Sequence, residues 1–241
     1  MRISRVFVDL AFNVGETIAL PETTRHYLLT VLRLKAGAQL CLFNGTGAEF
    51  SARLTQIQKK AAFVEIEAVS FPERESPLHL TLVQAIAKPD HMDLSIQKSV
   101  ELGVTEIIPV ITERSAPLDK KRSEKRQQHW QKIIYSACEQ SGRCIPPILH
   151  PITTLTNYLA RPHNGCCMVL APTAQQRINT LPTDETHAQI LIGAEGGLTQ
   201  AEIETAHQAG FIDISLGARI LRTETAAITM IGLCQARWGD L

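Results

Sequence analysis

Three short segments carry residues whose types could do chemistry together. "MVLAPT" (168–173), "ILIGAEGG" (190–197) and "ISLGARILRTETA" (214–226) each pass from an apolar run straight into small residues. Gly193, Gly196 and Gly197 let the backbone take positive φ or come close to another group, which predicts that these glycines clear space for a ligand held by main-chain groups. If the three ends are neighbours, their free N–H and C=O groups can hold the edge of a flat heteroaromatic ligand. "LRTETAAI" adds Arg222 and Glu224 at the start of the last predicted helix. Thr223 or Thr225 is available there as N-cap and Glu224 complements the helix dipole, while the same charge-dense stretch suits a substrate clamp.

Other nucleotide-binding chemistries are not supported. "GAEGG" lacks the GxGxxG spacing and lies late in the chain, so it is not a dinucleotide fingerprint, and no P-loop motif occurs. The six cysteines, at 41, 138, 144, 166, 167 and 234, form no CxxC pair and match no histidine spacing, so neither a zinc site nor a disulfide framework is expected. A reduced, cytoplasmic protein is the simpler reading. "MRISRVFVDLAF" carries Asp9 in its apolar stretch and has no small-residue cleavage site, so it is not a signal peptide. No apolar run reaches the roughly 18 residues of a membrane span.

Strand ends of this kind must be positioned by a sheet. From "LHLTLVQAI" onward the chain alternates strand and helix: "MDLSIQKSVELG", "EIIPVIT", "SEKRQQHWQKIIYSACEQSG", "CCMVLAP", "AQILIG", "TQAEIETAHQAG", "DISLG" and a final helix through "TETAAITMIGLCQARW". Nearly all-apolar strands in that order predict a parallel sheet with helices on both faces, whose ligands bind beyond the strand carboxyl ends. The final helix is apolar over much of its circumference, which predicts burial, in part against a second subunit. Residues 1 to about 70 read instead as short alternating strands, "RVFVDL", "AQLCLFN", "AEFSARLTQI" and "AFVEIEAV", with one helix in "TTRHYLLTVLRL". "SFPERESP", 70–77, has the composition of a linker. The division expected is therefore a β-rich domain over 1–72 and an α/β domain over 73–241.

Charge sharpens the reading. The chain has 24 basic and 24 acidic residues, so net charge alone does not hold a polyanion. Its distribution is uneven: seven Lys/Arg fall between Arg114 and Lys132 against Asp119 and Glu124, whereas three Arg and eight acids follow Leu181. Lys88, Arg114, Arg122, Arg126 and Arg143 flank predicted strand ends, where a phosphate backbone could lie along the rim of the cleft. The eight histidines are scattered, with none at catalytic spacing from Cys or Asp; His26, beside Arg25, is expected to be half-buried and within reach of RNA.

Taken together, "QKSVELGV", "EQSGR", "IGAEGG" and "SLGARILRTETAA", with "RVFV" and "RHYLLTVLRLKAG" near the start, resemble the RsmE family of bacterial 16S ribosomal RNA uridine N3-methyltransferases in the SPOUT superfamily, over nearly the whole chain. The resemblance implies a C-terminal trefoil knot, S-adenosylmethionine bound within it, a homodimer, and a PUA-like or barrel-like RNA-binding domain at the N-terminus. It implies cofactor contacts at Leu170, Ala171, Gly193, Ala194, Glu195, Gly196, Gly197, Leu216, Gly217, Ile220, Leu221 and Arg222. RNA contacts are expected from Arg5, Arg25, His26, Arg33, Lys88, Arg114, Arg122, Arg126 and Arg143. Ala194 departs from the family's Pro, which frees φ and adds an N–H to the turn, so cofactor affinity is expected to weaken modestly.

The sulfonium methyl of such a cofactor is already activated, so alignment of the nucleophile is the main requirement and no metal is needed. Uracil N3 must lose its proton; Glu195 is the expected base and Arg222 the expected stabiliser of charge on the uracil oxygens. N3 lies on the Watson–Crick edge, so the target uridine, in the decoding region of the small ribosomal subunit, must be unpaired or flipped out. The alternatives are a related SPOUT enzyme acting on a ribose 2′-hydroxyl or on transfer RNA, and a ribosome assembly factor that binds RNA without turnover.

Overall fold

The computed structural model describes residues 3–115 and 119–241, which pack as two units. One unit is the chain up to Glu75 together with Tyr135–Pro146; the other is Ser76–Ile134 together with Pro147–Leu241.

The first unit is built on a five-stranded sheet of β1 (Ser4–Phe7), β2 (Thr17–Ala19), β3 (Gln39–Phe43), β4 (Glu49–Ile57) and β5 (Ala62–Ser70), in the order β1-β3-β4-β5-β2. Only β1 and β3 run parallel; the other pairs are antiparallel. Alternation along the strands puts Leu40 and Leu42, Phe50, Ala52 and Leu54, and Val64 and Ile66 on one buried face, as the period of two requires. The expected helix begins as α1 (Glu22–His26) but continues as a π-helical turn, Tyr27–Val31, that buries Leu28. It ends short of Leu34 because Arg33 takes a left-handed φ of 54°. The sequence pattern did not anticipate β2, a three-residue edge strand. The expected linker is tied down at its end: the Glu75 carboxylate accepts from Arg143 Nε at 2.9 Å and from the main-chain N–H groups of Cys144 and Ile145 at 3.2 Å.

The second unit carries the parallel sheet. In chain order its elements are β6 (His79–Ala85), α2 (Pro89–Glu101), β7 (Glu106–Ile111), α3 (Lys120–Ser141, whose last turns belong to the first unit), β8 (Ile148–Leu149), β9 (Thr153–Thr154), α4 (Leu155–Leu159), β10 (Cys166–Leu170), β11 (His187–Ile192), α5 (Gln200–Gln208), β12 (Ile212–Ile214) and α6 (Thr223–Trp238). Strand order is β12-β10-β11-β6-β7-β8, with β9 also on β7, and every pairing is parallel. The short β8, β9 and α4 are the elements sequence patterning missed.

Both sheet faces are covered, as the apolar strands predicted. Val83 and Ala85 of β6, Val110 of β7 and Leu191 of β11 pack with Leu155 and Leu159 of α4 and Ala206 of α5. On the opposite face α6 packs against β11 and α2, burying Ala227, Met230, Ile231, Cys234 and Trp238. No described helix is long and apolar enough to cross a membrane.

Candidate active site

Strand order decides where the chemistry sits. β10 lies between β11 and β12, so the carboxyl ends of all three are adjacent although the chain reaches them through separate connections. Such a place is where open parallel sheets bind ligands. The three segments singled out in the sequence meet here around a cleft of about 740 Å³, and all twelve residues expected to touch a cofactor line it: Leu170 and Ala171 after β10, Gly193 to Gly197 after β11, and Leu216, Gly217 and Ile220 to Arg222 after β12.

The glycines show the positive φ and close approach expected of them, but at Gly193 the close group is the turn itself. A Cβ on Gly193 would lie 2.8 Å from the carbonyl carbon of Gly197 and 2.9 Å from Leu198 N, so this glycine lets the turn fold back on itself rather than making room for a ligand. A Cβ on Gly196 would press on Arg114 Cδ at 3.2 Å, and Gly197 is required by its φ of +67°. The turn closes with a Gly197 N–H bond to the Ala194 carbonyl at 2.9 Å. Arg114, one of the residues expected to contact RNA, is exposed and lies over this turn: Nη1 donates to the Gly196 carbonyl at 2.5 Å.

A buried polar bridge fixes the turn to its neighbours. Gln84, fully buried at the end of β6, donates through Nε2 to Thr223 Oγ1 at 2.9 Å, and Thr223 donates on to the Gly193 carbonyl at 2.7 Å. Thr223 is therefore not the N-cap of α6. That position belongs to Arg222, which makes no side-chain cap, because the threonine hydroxyl is committed to the glycine turn. Glu224 does sit in the first turn, as expected from the helix dipole. Glu195 caps no helix either: α5 has its own capping box, with Thr199 accepting from the Glu202 N–H and Glu202 from the Thr199 N–H.

Glu195 and Arg222, the residues expected to act on the uracil, both line the cleft. Arg222 is exposed, and its guanidinium has no partner among the described residues. Glu195 is engaged: Oε1 accepts from the Lys88 N–H at 2.9 Å and lies 2.7 Å from His91 Nδ1. Partial desolvation raises the Glu195 carboxyl, but hydrogen bonds from the Lys88 and Glu195 N–H groups and from His91 outweigh it and hold the group below the usual carboxylate range.

His91 was missed by sequence reasoning. It lies in the first turn of α2, which Pro89 opens, and its ring forms part of the cleft wall between two carboxylates, with Glu224 Oε2 at 3.8 Å from Nδ1. Glu224 is 7% exposed, and Oε2 has no hydrogen-bond partner. The only local signal was Pro89 after Lys88, which marks a helix start at a strand's carboxyl end.

The basic residues divide. Arg143 is 4% exposed and paired with Glu75 at 2.7 Å; Arg5 pairs with Glu49 and donates to the Gly142 carbonyl at 2.9 Å. Both are engaged within the fold of the first unit, Arg143 being almost wholly buried there. Arg25 is half-buried against the Lys59 carbonyl, whereas His26, expected half-buried, is exposed, as is Arg33. In the second unit Lys88 and Arg122 are exposed and Arg126 is half-buried.

Comparison with known proteins agrees with this geometry. Residues 74–235 match the RNA methyltransferase domain family and residues 20–67 the RNA methyltransferase PUA domain. The chain is 38% identical to the ribosomal RNA small subunit methyltransferase E of Buchnera aphidicola subsp. Schizaphis graminum, over 100% of this chain and 98% of that one. A ribosomal RNA small subunit methyltransferase E from Neisseria gonorrhoeae, solved bound to S-adenosyl methionine, superposes with a TM-score of 0.93 at 38% identity, covering 100% of both chains. A Legionella pneumophila protein solved in complex with the cofactor SAM gives a TM-score of 0.97 at 38% identity, again over 100% of both. The chain belongs to the RNA methyltransferase family of the ribosomal RNA small subunit methyltransferase E proteins.

Proposed function

We propose that this protein transfers the methyl group of S-adenosylmethionine to N3 of one uridine in the decoding region of 16S ribosomal RNA, acting in the cytoplasm on the small ribosomal subunit. The observation that carries this reading is the convergence of three strand ends on one cleft in a chain of this family. The cleft suits the cofactor. Its volume lies within the range of small-molecule sites, and it is walled by Leu170, Ile192, Ile214 and Leu221, with polar side chains such as Glu195 and Arg222 among them. Ile220 and Leu221 have N–H groups without partners among the described residues, and Ile220 is 86% exposed at the rim.

The cofactor supplies an activated methyl group; the chain's own residues do the rest. Leu170, Ala171, the turn from Gly193 to Gly197, Leu216, Gly217 and Ile220 to Arg222 hold it. Gln84 and Thr223 keep the glycine turn in place. Arg222, unpaired at the mouth, meets the charge that develops on the uracil oxygens when N3 is deprotonated. Glu195 belongs to the acid–base apparatus that removes that proton. Residues 1–72 belong to a PUA-like RNA-binding domain, which Tyr135–Pro146 joins in the fold, and the rest of 73–241 to a SPOUT domain with a trefoil knot at its C-terminal end, working as a homodimer. Arg25, His26, Arg33, Lys88, Arg114, Arg122 and Arg126 are the RNA-facing basic groups.

The test is transfer of labelled methyl from S-adenosylmethionine to small subunits that lack the modification, followed by reverse transcription across the decoding region. A new stop at one uridine is expected, because an N3 methyl blocks base pairing. Label without a stop would instead indicate a ribose hydroxyl, label on transfer RNA alone a different substrate, and no label a binding factor without turnover.

A further inference from the structure

We infer that His91 is the group that takes the proton from uracil N3, with Glu195 as the carboxylate that orients it and Glu224 as a second charge that stabilises the imidazolium. The inference rests on the N3 reading above and assigns the base within it.

The argument starts from what Glu195 is already doing. Its Oε1 receives two donors, the Lys88 N–H at 2.9 Å and His91 Nδ1 at 2.7 Å. A carboxylate accepts and does not donate, so the hydrogen on this imidazole sits on Nδ1, which leaves the lone pair on Nε2. Nε2 has no partner among the described residues and is not among the buried unsatisfied atoms, while the ring, 28% exposed, lines the cleft. The hydrogen bond to Glu195 thus produces an oriented acceptor at the wall where the nucleobase must lie.

The same arrangement favours the product of proton transfer. Once Nε2 is protonated the ring carries a positive charge, and it faces Glu195 at 2.7 Å and Glu224 at 3.8 Å. Glu224 Oε2 is buried without a hydrogen-bond partner, which is costly for a carboxylate at rest and is relieved by a cation beside it. Carboxylate, imidazole and acceptor are arranged as in other histidine bases. Other charged groups near His91 in the chain or on the cleft wall are Lys88, Asp90 and Asp93 on its own segment, the last paired with His129, and Arg219 and Arg222 leading into α6.

The step balances without a further reactant. The N3–H bond breaks and its proton goes to Nε2; the N3 electron pair forms the bond to the methyl carbon as that carbon leaves sulfur with the bonding electrons retained on sulfur. The proton then passes from the exposed face of the imidazole to water.

The experiment compares wild type with His91→Ala and His91→Gln on small subunits lacking the modification, at saturating S-adenosylmethionine and across pH, with cofactor affinity measured by calorimetry. Loss of a general base costs kcat about 100-fold or more. We expect that loss in both variants, cofactor affinity within about threefold of wild type, disappearance of the acid limb of the pH–rate profile, and partial rescue of the alanine variant by added imidazole. A variant with kcat near wild type and its acid limb intact overturns the inference, as does a rise in KM alone, which would make His91 a binding residue. If wild type yields label but no stop at a uridine, the N3 reading itself fails and the assignment falls with it.

Discussion

Arg143 and Arg5 of the first unit and Arg222 of the second are spent in opposite ways. In the first, Arg143 is buried against Glu75, and Arg5 lies among Glu49, the Gly142 carbonyl and the sulfurs of Cys41 and Cys144. In the second, Arg222 stands open at the mouth of the cleft. An arginine whose donors are taken by its own fold brings little charge to a phosphate, whereas an open one can meet charge that arrives or develops. Basic residues therefore have to be read by their partners rather than counted.

The largest effects should separate these two uses. Arg143→Ala removes a buried guanidinium and leaves the half-buried Glu75 without its cation, which should lower the stability of the first unit by about 2 kcal/mol in urea titrations. Its affinity for S-adenosylmethionine should not change. Arg222→Ala should do the reverse: unfolding within about 0.5 kcal/mol of wild type, but kcat for methyl transfer down about 100-fold. If Arg143→Ala kept wild-type stability and lost RNA affinity instead, the contrast between the units would collapse.

Smaller effects sharpen the account of the cleft. Gly193→Ala forces a Cβ into the Gly197 main chain, so the turn must open, and S-adenosylmethionine should bind about tenfold or more weakly by calorimetry, as a loss of one to two hydrogen bonds implies. Thr223→Val removes the link between Gln84 and the Gly193 carbonyl while nearly preserving volume. It should cost about 1–2 kcal/mol in stability, because Gln84 Nε2 loses one of its two acceptors in a buried site. Wild-type stability with unchanged cofactor affinity would show that the bridge does not position the turn.

The sheet and the cleft at its strand ends were legible in the sequence because both are written locally. Apolar strands ending in "LAP", "IGAEGG" and "SLGARI" announce their class and their ends without reference to partners. Strand order is not local, and neither are the contacts that decide side-chain roles. His91 meets Glu195 across 104 positions and Arg143 meets Glu75 across 68, so no spacing rule could pair them. Thr223 illustrates the same limit at short range: its place beside a helix start suggested a cap, but a carbonyl 30 residues earlier took its hydroxyl. Positive φ and close approach were anticipated for the glycines, but not that the group closing on Gly193 is the turn's own main chain, since closing a turn and clearing a ligand path leave the same mark on a sequence.

The smallest effect expected lies in acid, where two carboxylates of the first unit respond with opposite signs. Burial alone would raise the Glu49 carboxyl, but the hydrogen bond and charge of Arg5, with Arg74, hold it below the usual range. Glu49 therefore contributes stability above the unfolded value of about 4.3, and that contribution is lost as pH falls through the lower folded value. Glu139 is raised, because burial outweighs its bond from the Phe7 N–H and the charge of Arg5. Its folded form holds a proton more tightly than the unfolded chain, so it costs stability at neutral pH, and that cost fades as pH falls through its folded value towards the unfolded one. Urea midpoints of wild type, Glu49→Gln and Glu139→Gln should be compared from pH 7 down to about 3, the window spanning the ordinary carboxylate range. The Glu49 variant should start less stable than wild type and converge on it in acid. The Glu139 variant should start more stable and converge from the other side. Parallel pH curves for all three would mean that neither carboxylate is coupled to folding of the first unit, and that its arginine cluster contributes through packing and neutral hydrogen bonds alone.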